Sequence, residues 1–180
     1  MGSRRPLVRS CVMVAALAAV TAAHVRAQAT PLEYQVKAAY LLNFVKFVEW
    51  PKELNTGPVT ICVARPNPFG ESLNDIVRGE TISGRPIAVR TIGAPEMGCH
   101  VVFVPRGASA SAYLAAARGT PTLTVGEEPH FIEQGGIINL VLTGGNVRFE
   151  INQQAAIRAG LTISSRLLRL GQPAAGGAEP

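Results

Sequence analysis

Catalysis needs nucleophiles, titratable pairs or metal ligands, and this 180-residue chain offers few of them. It has three cysteines, three histidines and a single aspartate, Asp75. A Ser-His-Asp triad would take its base from His100 or His130, since His24 lies in an N-terminal leader-like segment. His100 heads the apolar run His100–Val104 and reads as a packed histidine, whereas His130 follows Glu127-Glu128-Pro129 and reads as solvated. Glu127 and Glu128 are adjacent, so their side chains diverge in extended chain. They read as part of a solvated loop, not as an acid–base pair. No GxGxxG follows the first apolar run, and Gly-Lys-Ser/Thr, GxSxG and HExxH are all missing. This pattern favours a binding or regulatory role over an enzyme, with no cofactor and no metal.

The cysteines take their meaning from the N-terminus. Arg4, Arg5 and Arg9 precede the apolar run Cys11–Ala23, and Ala27-Gln28-Ala29 offers small residues at a processing spacing. That order predicts a secretory signal peptide over residues 1–29, cleaved after Ala27 or Ala29. The apolar run is too short to span a bilayer, and no cysteine sits where a lipoprotein would need one. Removing Arg4, Arg5, Arg9 and Arg26 from 17 basic residues leaves 13 against 12 acidic ones. The remaining basic residues are scattered singly, which argues against a nucleic-acid partner. Export also leaves Cys62 and Cys99 as an even pair in an oxidising compartment. A disulfide between them would stabilise the fold by roughly 3–4 kcal/mol on the chain-entropy model. The competing reading, a metal site from Cys62, Cys99, His100 and His130, has no CxxC or HxxxH spacing behind it.

The elements that must position these residues follow from periodicity. Thr30 as cap, Pro31 at the first helical position and Glu33 as capping-box partner predict a helix that runs on to Pro51. Its apolar stripe is wide, so it should be buried on most sides, under neighbouring elements or between the core and a partner. Apolar strands are expected at 59–63, 86–92, 100–104 and 122–125, with helices at 69–77 and 109–117 between them. Residues 137–142 and 147–151 flank Gly144-Gly145 as a hairpin, and Asn152 and Ser164 cap two closing helices. Gly135-Gly136 and Gly144-Gly145 are read as supplying positive φ. The fold class is therefore α/β: one three-layer domain over residues 30–170, a mainly parallel sheet with helices on both faces and a C-terminal antiparallel hairpin. Residues 171–180 read as a disordered tail.

An ordered set of segments resembles a known family. It comprises Tyr34–Phe44, Phe47-Val48-Glu49-Trp50-Pro51, Ile61-Cys62-Val63, Pro68-Phe69-Gly70, Gly84-Arg85-Pro86-Ile87, Cys99–Phe103, Leu123–Gly126, Gly135–Asn139, Val147–Asn152 and Ala159–Leu168. In this order and spacing the chain resembles the YfiR family of small periplasmic proteins, over about residues 33–170. The resemblance implies a non-enzymatic periplasmic repressor. Its partner would be the periplasmic sensor domain of a membrane diguanylate cyclase, or of a histidine kinase, with consequences for cyclic-di-GMP and biofilm formation. It also implies that Cys62 and Cys99 occupy the family's disulfide positions. The family's type member has a second cysteine pair in the region matching Gly135–Leu142, which this chain lacks, so the likeness does not extend to redox-controlled release.

Repression requires binding one conformation of the partner better than another. The candidate surface is Arg148, Phe149 and Glu150 on the last hairpin strand, where alternation puts Arg148 and Glu150 on one face and Phe149 on the other. A core position for Phe149 is the competing reading, and a homodimer could form through the same edge. The rival function is a periplasmic small-ligand binding domain, whose ligand would sit at the strand carboxyl ends near Arg65, Pro66, Pro105 and Arg106.

Overall fold

The computed structural model describes residues 31–52 and 56–173. The expected signal peptide, its cleavage sites and the cap at Thr30 lie outside the described residues, as does the tail from residue 174 onward.

The first helix, α1 (Pro31–Phe47), buries Lys37, Ala38, Leu41, Leu42, Phe44 and Val45, the wide stripe its sequence predicts. It stops four residues before Pro51, because Val48–Glu49 straightens into a short strand, β1. Proline disfavours helical geometry in the residue before it, here Trp50. The freed backbone pairs antiparallel with β9 (Thr162–Ile163), Val48 opposite Ile163. This two-stranded clasp was not anticipated from the sequence.

The main sheet begins with β2 (Val59–Ala64), buried at every residue. The chain continues through α2 (Ser72–Val77), β3 (Thr81–Ile82), β4 (Arg85–Ile92), β5 (Val101–Val104), α3 (Ala110–Ala117) and β6 (Leu123–Gly126). It closes with β7 (Ile138–Thr143), β8 (Asn146–Ile151), α4 (Gln153–Arg158), β9, α5 (Ser165–Leu170) and β10 (Gln172–Pro173). The eight strands lie in the order β10-β8-β7-β6-β5-β2-β4-β3. The central run β4-β2-β5-β6-β7 is parallel throughout, while β7–β8 and β3–β4 are antiparallel. Both outermost strands are two residues long, a common protection against edge-to-edge association.

Alternation sorts the strand residues into two cores. Val59, Ile61, Val63, Val101, Phe103, Leu123, Val125, Ile138, Leu140, Val147 and Phe149 face α1 and α2, joined by Ala155, Ala156 and Leu167 from α4 and α5. Cys62, Ala64, Ile92, Val102 and Val104 face the other way, onto Tyr113 and Leu114 of α3 and onto Phe131. The fold is thus α/β with helices on both faces of a mainly parallel sheet, and the hairpin at Gly144-Gly145 (φ 57° and 78°) has the two positive dihedrals of a type I′ turn. The caps also form: Asn152 Oδ1 accepts from Ala155 N–H at 2.9 Å, and Ser164 Oγ accepts from Leu167 N–H at 3.2 Å.

Three local differences have physical causes. The helix expected from Phe69 begins at Ser72, because Phe69 leaves the helix to enter the core and its N–H is taken by Asn67 Oδ1 at 2.9 Å. Gln172–Pro173, expected to be tail, pairs in parallel with Glu150–Ile151 of β8. Gly136 does not have the positive φ expected of it. It is small because the fully buried Phe131 ring is wedged between it and Gly126. A Cβ would come within 2.4 Å of that ring from Gly126 and 2.2 Å from Gly136.

Cys62 on β2 and Cys99 just before β5 form a disulfide across 37 residues of chain, so the sulfurs are not metal ligands. On the chain-entropy model that closure is worth roughly 3–4 kcal/mol. The double variant Cys62→Ala/Cys99→Ala is expected to lower the unfolding free energy by that amount, with an unchanged far-ultraviolet spectrum. Equilibrium denaturation in urea checks it.

Candidate functional site

The parallel strands place β2 at the centre. The chain first moves to β4 on one side, then returns across β2 to build β5, β6 and β7 on the other. The crevice at the carboxyl ends of β2 and β5 is therefore the topological switch point, the place where open α/β sheets usually bind ligands. The rival reading of the sequence puts a small ligand there, near Arg65, Pro66, Pro105 and Arg106.

In this chain that crevice is filled by its own side chains. The first two turns of α1 lie over it and project Glu33, Tyr34 and Lys37 inward. Glu127, the residue after β6, is 3 % exposed and is ion-paired with Lys37, which is 1 % exposed. Lys37 also meets Glu33 at 2.5 Å, one turn away on the same helix. Glu127 Oε1 accepts from Tyr34 O–H at 3.0 Å and from the Arg106 backbone N–H at 2.8 Å. Glu128 accepts from the next amide, Gly107 N–H, at 2.8 Å. The aromatic ring of Tyr34 packs edge-on against Phe69 at 5.4 Å, and Phe69 against Phe103 at 4.8 Å. The sequence context of Glu127 points to a solvated loop, but the residue is buried. It is the centre of a closed network in which its charge is matched by an ammonium, a phenol and an amide. Burial and the negative charge of Glu127 push the Tyr34 phenol well above its usual range.

Sequence reasoning missed this pair. The available signal was a lysine on the buried stripe of α1, between Tyr34 and Leu41, and a carboxylate directly after an apolar strand.

A second cluster lies at the opposite, amino ends of the strands. His100 Nδ1 accepts from Thr60 N–H at 3.1 Å, and its ring meets Trp50 edge-on at 5.9 Å. Arg85 places Nη2 3.0 Å from His100 Nε2, and its Nε donates to the Gly57 carbonyl at 2.7 Å. His100 is thus packed, as expected, and three of the segments quoted for the family resemblance converge here: Glu49-Trp50-Pro51, Arg85-Pro86 and Cys99-His100. His130 is exposed beside Glu133. Among the described residues no group of three His, Cys, Asp or Glu side chains is disposed to hold a metal ion.

The candidate surface on β8 divides as alternation demands. Arg148 is exposed and Glu150 half-buried, both on the face away from α1. Phe149 is buried on the α1 side, 5.4 Å from Tyr40 and 5.2 Å from Phe44 between ring centres. Glu150 is within 3.4 Å of Asn139 Nδ2, which donates to it from β7. Among the described residues, the outer edge of β8 is covered by β10 only at Glu150 and Ile151.

The arrangement defines a class: an open α/β domain whose customary ligand crevice is sealed by an internal ion network. The chain belongs to the YfiR/HmsC-like family, whose model matches residues 34–172. The crystal structure of a conserved domain protein from Vibrio cholerae O1 biovar El Tor shares the fold, with a TM-score of 0.51 at 14 % identity. The match covers 78 % of this chain and 59 % of that one, so the chain spans less than two thirds of the Vibrio protein's length.

Breaking a buried pair leaves an uncompensated charge and typically costs about 3–5 kcal/mol. Lys37→Met is expected to destabilise by that amount, and Lys37→Met/Glu127→Gln to recover at least half, because the neutral amide introduced opposite Arg106 still accepts from its backbone N–H. Chemical denaturation of the two variants checks it. The Tyr34 phenol binds its proton more tightly folded than unfolded, so its contribution is complete below about pH 10, the unfolded value, and is lost as pH rises beyond it. Tyr34→Phe is expected to flatten this alkaline decline in stability, read from urea midpoints between about pH 9 and 11.

Proposed function

We propose that this chain is an exported, non-enzymatic regulatory protein. It acts by binding the periplasmic domain of a membrane signalling protein, a diguanylate cyclase in first place and a histidine kinase in second. The observation that carries this reading is the family match across residues 34–172. Several features support it. The N-terminal pattern is that of a cleaved signal peptide over residues 1–29. The disulfide suits an oxidising compartment. No helix among the described residues is long and apolar enough to cross a membrane. The titratable groups at the switch point are consumed by one another, which fits a protein that binds and does not transform.

The binding surface in this proposal is the β8 face that carries Arg148 and Glu150. Phe149 serves it from behind, by locking the strand onto Tyr40 and Phe44 of α1. An exposed cation beside a partly covered carboxylate gives a partner both a charge to match and a fixed orientation, the features that set specificity and association rate more than affinity. The partly uncovered edge of β8 also offers main-chain groups to an added strand, from the partner or from a second copy.

The experiment is capture, from a periplasmic extract, of the full-length chain expressed with the sensor domain of the membrane cyclase or kinase encoded beside it. N-terminal sequencing of the captured chain reads the processing site. Co-purification is expected for the parent and for Arg78→Glu, a charge reversal far along the sequence, just past α2. Arg148→Glu is expected to reduce capture at least about tenfold, the scale of a lost interfacial charge contact. Equal capture by Arg148→Glu removes the β8 surface, a chain absent from the periplasmic extract removes the export reading, and a captured chain that still begins at Met1 removes the cleavage.

A further inference from the structure

The sealed switch point leaves open the question of where this fold could receive a small molecule. Two cavities open at the other end of the sheet, on either side of the turn that joins α3 to β6; they share Ala117, Gly119 and Thr122 as a common wall. The one between α3 and α4, about 380 Å³, is rimmed by the exposed Arg118 and Arg158. The other, about 330 Å³, lies between α3 and the loop that joins β4 to β5. Its volume falls in the range of small-ligand sites.

The second cavity has the construction of a binding site. Cys99 of the disulfide, His100, Val102 and Tyr113 contribute to its wall, each less than a tenth exposed. Pro95, Met97, Ala116 and Pro121 are among the other apolar groups that line it. The Thr122 hydroxyl is engaged with the Cys99 carbonyl, and the Thr120 hydroxyl with the Ala117 carbonyl. Glu96, the only carboxylate of the lining among the described residues, is ion-paired with Arg90. Tyr113 differs: its ring is buried, its hydroxyl makes no hydrogen bond to any described residue, and its oxygen is not among the buried unpartnered atoms, so it is open to a guest. Burial and the nearby charge of Glu96 keep that phenol protonated, so it is a neutral donor. Met97 is 92 % exposed, an unusual position for an apolar side chain. Its unbranched thioether can fold over an aromatic guest and gain sulfur–ring contact.

We infer that this cavity is a binding site for an uncharged, largely aromatic small molecule that carries one hydrogen-bond acceptor. The Tyr113 hydroxyl donates to the acceptor, the apolar wall takes the ring system, and Met97 closes over it. Charged ligands are disfavoured because, among the described residues, the only carboxylate of the lining is already paired and no lysine or arginine lines the wall. The inference is independent of the regulatory partner and stands on the geometry of this end of the sheet.

The probe is coumarin, a neutral bicyclic ring with one carbonyl acceptor, titrated into the disulfide-bonded protein. Binding is read by calorimetry and by the methyl resonances of Met97 and Val102. Saturable binding that shifts those methyls is expected. Tyr113→Phe is expected to weaken coumarin about two- to tenfold, the range of one neutral hydrogen bond, while naphthalene, which has no acceptor, binds parent and variant alike. Ala116→Phe, which puts a ring into the cavity from the exposed side of α3, is expected to abolish binding of both probes. The inference is overturned if coumarin fails to saturate at millimolar concentration or if Ala116→Phe binds as well as the parent. It also fails if coumarin-3-carboxylate binds more tightly than coumarin, or if the shifts map to the Arg118–Arg158 cavity. A change of oligomeric state in Ala116→Phe without coumarin binding in the parent would assign the cavity to protein contact and overturn it equally.

Discussion

Lys37 and Glu127 carry opposite charges into a region from which water is almost excluded. Desolvating two ions is costly, and their attraction offsets that cost only when the geometry is good and the remaining lone pairs are satisfied. Here they are, by Glu33 on the ammonium side and by Tyr34 and the Arg106 amide on the carboxylate side. Such a pair adds little net stability compared with an apolar substitute, but it tolerates few alternative arrangements. Rotating α1, or shifting it along its axis, would strand both charges. The pair therefore fixes where the first helix sits on the sheet, and the aromatic contacts of Tyr34, Phe69 and Phe103 pack around that decision.

Fixing α1 over the carboxyl ends also decides which parts of the sheet stay uncovered. In most open α/β sheets the switch point is free and holds the ligand. Here the helix that precedes the first long strand occupies it. What the fold leaves open lies elsewhere: the polar face of the outer hairpin strand, exposed at Arg148, and the cavity at the amino ends of β5 and β6 beside the eight-residue α3. The same sequence feature, a helix apolar on most of its circumference, explains both the closed crevice and the large core on that face.

The sequence was most legible where one physical rule acts alone. The buried parallel strands announced themselves by continuous β-branched runs, the two C-terminal helices by Asn152 and Ser164, and the hairpin by Gly144-Gly145. The disulfide was legible because Cys62 and Cys99 are the two cysteines that follow the N-terminal segment and no competing motif claims them. Legibility failed where the outcome depends on residues far apart in the chain. Val48–Glu49 becomes a strand only because Thr162–Ile163 arrives beside it, and Gln172–Pro173 only because β8 offers an edge. Glu127 looked solvated because nothing in its neighbourhood along the chain reveals that Lys37 waits across the sheet. Gly136 looked like a turn residue because the reason for its size, the Phe131 ring, lies in a contact and not in a dihedral.

The disulfide encloses a particular part of the molecule. Between Cys62 and Cys99 run α2, β3 and β4, which together form one lateral wing of the sheet, whereas β5 to β8 lie wholly outside the covalent ring. Because β2 and β5 are already neighbours in the ladder, the sulfur link adds nothing to the seam between them that hydrogen bonds do not supply. Its effect is to keep the excursion that leaves β2 and returns to β5 from wandering. A thiol reductant would thus free the unfolded chain in one stretch only: the segment of the β4 wing would gain conformations, while the segment of the hairpin wing that bears Arg148 would be no freer than before.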